Sequence, residues 1–181
     1  EITKARYPVI DMHSHAYPTT SKDLELWVQT MDQSNVEKTI ILTYATGLLF
    51  DSLYQVYSQY GSRFDVWCGF DFTDYQKDDW SKRAIKELIR CHKIGAKGVG
   101  ELGDKGQGLM YSLPSPAPGM HIDDPKLQPL LAKCGELNMP INIHVAEPIW
   151  MYNEQDSTND GLMNGYKWKV DLSESKTLNH Q

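Results

Sequence analysis

The sequence of 181 residues is short of positive charge, with 18 Lys and Arg against 24 Asp and Glu and a formal charge of -6. That balance argues against nucleic acid or an anionic membrane as the main partner. No apolar stretch reaches the length of a membrane span, and the chain opens at Glu1 without the charged-then-apolar pattern of a secretory leader. The expectation is a soluble protein, cytoplasmic or exported after removal of a leader, with the compartment undecided. Cysteine is scarce as well. Cys68, Cys91 and Cys134 are odd in number, far apart and each set in an apolar run, which speaks against a disulfide framework or a cysteine zinc site and predicts reduced core thiols. Internal sequence repeats and low-complexity tracts are missing too. Length and ordinary composition predict a single domain over residues 1–181.

What the chain does contain is a regular alternation. Apolar runs of strand length occur at Val9 to His13, Thr39 to Thr43, Val66 to Phe70, Ala96 to Glu101 and Ile141 to Val145. Between them lie four stretches with helical spacing. Leu24, Trp27, Val28 and Met31 follow the capping residues Thr20 and Ser21, and Leu53, Val56, Tyr57 and Tyr60 precede Gly61. Trp80, Ala84, Ile85, Leu88 and Ile89 end before Gly95, and Leu127, Leu130, Leu131, Cys134 and Leu137 end before Asn138 and Pro140. Strand starts at 9, 39, 66, 96 and 141 give repeated strand-helix units and hence a parallel sheet, with an insertion in the last unit. A doubly wound sheet and an eight-unit barrel both satisfy this pattern. The insertion, Gly103 to Met120, is rich in glycine and proline and reads as a loop, either an active-site loop or a surface insertion.

The chemistry gathers at the strand ends. His13 and His15 stand two apart on the first strand, so their side chains share a face and can share one metal. Asp11 has the same parity and is expected to accept the second imidazole N–H of a ligand. Glu101 closes the fourth strand within "GAKGVGELG", where an acid is costly unless it binds metal or forms an ion pair, for which Lys97 is the candidate. His144 closes the fifth strand within "PINIHVAEPIW", with Asn142 on its face and Glu147 beyond. His13, His15, Glu101 and His144 thus form a nitrogen and oxygen ligand set suited to zinc or manganese. Trp150, Met151 and Tyr152 are candidates to line a pocket or to cover the core. His92, His121 and His180 show no partner pattern, the first two reading as surface residues.

With "VIDMHSHAYP", "GAKGVGELG" and "PINIHVAEPIW", residues 8 to 150 resemble the amidohydrolase superfamily of barrel metalloenzymes, closest to its branch of lactone and amide hydrolases and nonoxidative decarboxylases. The resemblance implies a (β/α)8 TIM barrel, of which about the first five units fall within residues 8–147, followed by an active-site loop and tail over 148–181. It implies that His13 and His15 bind the more buried metal and that His144 ligates metal. Glu101 would bind or bridge metal as in the TatD-type branch, and Glu101 and His144 are the catalytic candidates. One or two divalent ions are expected, zinc first, with manganese or iron as alternatives.

The family pattern also calls for a histidine after strand six and an aspartate after strand eight. Only 34 residues follow Glu147, where three more units of about 30 residues would need roughly 90. The chain is therefore expected to be the N-terminal portion of a longer enzyme and, by itself, inactive. The function expected of the parent is hydrolysis of a small lactone, ester or amide by metal-activated water. Nonoxidative decarboxylation and a noncatalytic, metal-binding half-barrel are the alternatives. The expected partner is a small-molecule substrate, not nucleic acid or membrane, and exposed sheet edges would favour a homo-oligomer.

Overall fold

A computed structural model describes residues 4–18, 20–104, 107–145 and 147–168. Its elements follow the expected order: β1 (Val9–Ser14), α1 (Ser21–Ser34), β2 (Val36–Leu42), α2 (Gly47–Ser58), β3 (Phe64–Trp67), α3 (Trp80–Ile94) and β4 (Val99–Gly103). The insertion carries two short strands, β5 (Gly108–Leu109) and β6 (Ala117–Pro118), and is followed by α4 (Gln128–Glu136), β7 (Ile141–His144) and α5 (Leu162–Trp168). The polar tail thus holds one short helix, while residues 169–181, with His180 among them, lie outside the described residues.

Local chemistry accounts for the boundaries. Thr20 caps α1 through a reciprocal pair, its hydroxyl accepting from the Asp23 amide while the Asp23 carboxylate accepts from the Thr20 amide. Asn35 closes the helix in the left-handed region at φ 62°, a conformation asparagine tolerates better than most residues. Gly95, at φ 137°, ends α3 as expected. Strand boundaries differ from the sequence reading, most at β3, which runs Phe64–Trp67 where Val66 to Phe70 is expected. β2 begins three residues early, at Val36, and β4 runs Val99–Gly103, so that Glu101 sits inside the strand and not at its end. In α2 the buried stripe is Phe50 and Tyr57, with Leu53 and Tyr54 packed against the core, whereas Val56 is exposed. The helix starts at Gly47 and brings Phe50 onto the stripe, which the shorter pattern beginning at Leu53 omitted.

β1 pairs with β2 and β2 with β3, and β4 pairs with β7, all in parallel. A single parallel bridge from Cys68 to Val99 links the end of β3 to β4. The long strands therefore lie side by side in chain order. A doubly wound sheet reverses its order at a switch point, and no reversal occurs among these strands.

Strand residues alternate between two faces. Ile41, Val66, Cys68 and Val99 face the helices and join one large core with Leu24, Met31, Phe50, Tyr57, Trp80 and Leu88. Ile40, Leu42 and Trp67 point the other way and form a separate small cluster. Cys68, Cys91 and Cys134 are buried free thiols, as the sequence predicts. Burial pushes the Cys134 thiol up to about 12, so it stays protonated at neutral pH. No helix among the described residues is long and apolar enough to cross a membrane.

Candidate metal centre

Strands β1, β4 and β7, with the segment after β2 and the insertion, line one cavity of about 220 Å³ formed by His13, His15, Tyr44, Glu101, Gly103, Tyr111 and His144. Its position at the carboxyl ends of parallel strands is where such sheets gather their chemistry, because each loop there can present a side chain without breaking a ladder. His13 ends up beside His15 as the strand parity requires, with ring centroids 5.2 Å apart and planes nearly perpendicular.

Glu101 lies at the centre. Its side chain is 5% exposed, and the Nε2 atoms of His13 and His15 each lie 3.6 Å from its Oε2. Two ligand atoms held about 2.0–2.2 Å from a tetrahedral ion stand roughly 3.3–3.6 Å apart. The three donors converge closely enough to take one divalent cation, each lying within 4.8 Å of the others. The donor set of two imidazoles and a carboxylate fits zinc, manganese or iron.

The orientation of His15 supports the fit. Its Nδ1–H donates to the Leu42 carbonyl at 2.9 Å, which leaves the Nε2 lone pair directed at the cavity. The sequence reading assigned this kind of support to Asp11. Asp11 Oδ1 instead accepts from the His13 backbone amide at 3.1 Å, because the β1–β2 register shifts between Asp11 and Ser14 and turns the carboxylate back on its own chain.

His144 reaches the same cavity but stands outside the three-donor group. Its Nδ1 lies 2.5 Å from Glu101 Oε1, and its Nε2 lies 3.5 Å from Glu147 Oε2. Both ring nitrogens therefore face carboxylates. Burial pushes the Glu101 carboxyl up, but the Tyr44 hydrogen bond, the His144 charge and hydrogen bond, and the His13 charge together hold it below the usual carboxylate range. The partners of Glu101 are these groups and not Lys97.

Three residues of this region escaped the sequence reading. Tyr44 donates its phenolic hydrogen to Glu101 Oε2 at 2.9 Å and stacks on His15. Asp104 is fully buried and accepts from the Ile122 amide at 2.9 Å, the Gly108 amide at 3.3 Å and His121 Nδ1 at 3.1 Å. His121 keeps a 37% exposed side chain, as expected of a surface residue, but pairs with the buried Asp104 carboxylate, and His92 is half-buried. The "GELGD" run placed Asp104 next to the site, but two of its partners, His121 and Ile122, lie 17 and 18 residues away and leave no periodic trace. Trp150, Met151 and Tyr152 do not line the cavity. Met151 is buried, and the Tyr152 hydroxyl accepts from the Glu147 amide at 3.2 Å.

A scan against protein-family models and searches of curated proteins and of solved structures return no match to this chain.

Proposed function

We propose that this chain carries the metal-binding part of a hydrolase that acts on a small lactone, ester or amide, in a fold of the (β/α)8 barrel type. The observation that supports it most is the convergence of His13 Nε2, His15 Nε2 and Glu101 Oε2 around one point. Five parallel strands in chain order, with helices over one face, support the barrel. A divalent ion held by these residues would lower the pKa of a bound water and polarise a carbonyl.

The remaining side chains have defined tasks. His15 is fixed in the tautomer with hydrogen on Nδ1 by Leu42. Glu101 supplies one oxygen to the histidine pair and the other to His144. His144 stands between Glu101 and Glu147 at the cavity wall, the position of a general acid or base. Tyr111 also lines the cavity and packs over Gly103, where a Cβ would lie 2.7 Å from its ring.

The test is metal content and turnover of the full-length protein. About one equivalent of zinc, manganese or iron is expected, together with hydrolysis of a lactone, ester or amide panel that a chelator abolishes and added metal restores. His15→Ala is expected to cost more metal affinity than the roughly 10- to 100-fold typical of losing a supporting residue. Metal-free protein with hydrolysis indifferent to chelation would sink the proposal.

A further inference from the structure

Tyr44 stands two residues beyond β2 in a conformation its side chain does not favour. Its φ is 57°, in the left-handed region, where a Cβ crowds the neighbouring backbone and bulky residues are rare. Such a conformation persists only when the surroundings over-determine it, and here they do. The Tyr44 amide donates to the Gly100 carbonyl at 3.2 Å, and its own carbonyl accepts from the Leu113 amide at 3.2 Å. Gly69 lies against the same carbonyl so closely that a Cβ there would be 2.2 Å from it. One backbone position is thus fixed by β4, by the insertion and by the segment after β3.

What this position achieves is the placement of one oxygen. The Tyr44 ring stacks on His15 at 15° with centroids 5.1 Å apart, so the ring packs against one of the donors. Its hydroxyl donates to Glu101 Oε2 at 2.9 Å and lies 3.3 Å from His15 Nε2. Oε2 is the same atom that faces both histidines. The backbone bond to Gly100 adds a second tie, to the residue just before Glu101. A carboxylate can rotate and offer either oxygen; a fixed phenol donor selects one and directs its remaining lone pair at the histidines.

We propose that Tyr44 is a positioning residue, whose hydroxyl orients Glu101 Oε2 toward His13 and His15 so that the donors are arranged before an ion arrives. This rests on the metal-centre reading above. It extends it to a residue that is not itself a ligand and that acts through one.

The test uses Tyr44→Phe in the full chain, which keeps the ring and its stacking and removes the hydroxyl. The probes are Zn2+, titrated in competition with a chromophoric chelator, and Co2+, read by its visible ligand-field absorption. Affinity for both ions is expected to fall about 10- to 100-fold and the Co2+ band to change shape, with the unfolding midpoint of the metal-free protein little changed. Placed on a Glu101→Ala background, Tyr44→Phe is expected to cause no further loss, because its effect passes through Glu101.

Equal affinity and an unchanged spectrum in Tyr44→Phe would overturn the proposal. So would an equal loss in the Glu101→Ala background, which would show an action independent of the carboxylate. A Tyr44→Phe protein that does not fold would overturn it too, by making the hydroxyl a folding determinant. Failure of the parent protein to take up either ion defeats the metal-centre reading and this inference with it. Uptake by the parent with no change in the variant defeats this inference alone.

Discussion

The two faces of the strands are built to opposite rules. Toward the helices, the sheet carries a continuous apolar core in which Trp80, Phe50, Tyr57 and Phe72 are almost completely buried. Toward the cavity, the apolar part shrinks to Ile40, Leu42 and Trp67, and above it stand Glu101, three histidines and Tyr44. The helix face is redundant: many side chains share the load, and each can be approximated by another of similar volume. The cavity face has no such reserve. Leu42 contributes a side chain to the small cluster and a carbonyl to His15, so packing and chemistry meet in one residue.

Substitutions on the two faces should therefore separate stability from metal binding. The largest stability effect is expected from Trp80→Ala. Trp80 is 1% exposed, stacks on Phe72 at 5.4 Å and donates from Nε1 to the Asp71 carbonyl at 2.8 Å. Its truncation is expected to cost about 3–5 kcal/mol in urea unfolding. Zinc affinity of the protein that remains folded should stay within about 2-fold of the parent, because mutations at distant, independent sites act separately.

Gly98→Ala addresses the other face. A Cβ at Gly98 would lie 2.4 Å from the Trp67 ring, and overpacking of this kind costs about 1–3 kcal/mol. Trp67 packs with Leu42, so a displaced ring also disturbs the carbonyl that orients His15. Reduced stability together with weaker zinc binding is expected. Loss of stability with zinc affinity unchanged would show that the two faces are not distinguished in the way described.

A smaller effect is expected from pH, and it belongs to the helix side. Burial pushes the Glu87 carboxyl up, but hydrogen bonds from Arg90, the Gly47 amide and Cys91, with the Arg90 charge, hold it below its usual range. Arg90 also reaches Asp51 on α2 at 2.8 Å, which ties that helix to α3. A carboxyl depressed in the folded state adds stability above its unfolded pKa of about 4.3, and that stability is lost as pH falls through the folded value. The unfolding midpoint should therefore drop below about pH 5, and the Glu87→Gln protein should lack this component of the drop. A parallel pH dependence in the two proteins would remove Glu87 from the account.

The difference between the faces also explains what could be read from the sequence. The helix face is a periodic signal, and the stripes of α1 and α3, the five main strands and the three buried thiols were all visible in it. The histidine pair was visible for the same reason, since spacing of two on a strand is itself periodic. Tyr44, Asp104 and the Leu42 carbonyl were not. Each acts through a loop conformation or a partner distant in sequence, as with Tyr44 and Glu101, 57 positions apart. The role expected of Asp11 failed on a register shift within β1, which strand parity does not encode.

The buried carboxylate of Asp104 carries one more consequence. It receives the amides of both Gly108 and Ile122, so the two ends of the insertion are pinned to a single side chain, itself anchored by the Asp104 amide to the His144 carbonyl at 2.9 Å. The insertion is in effect a ring clasped at its base. The entropy of closing such a ring grows slowly, by about 0.6 kcal/mol for each doubling of length. The clasp keeps the strand ends in place while the Leu113 amide, on the same ring, holds the Tyr44 carbonyl, so that variation in length is left to the segment between Leu113 and Ala117, away from the cavity floor.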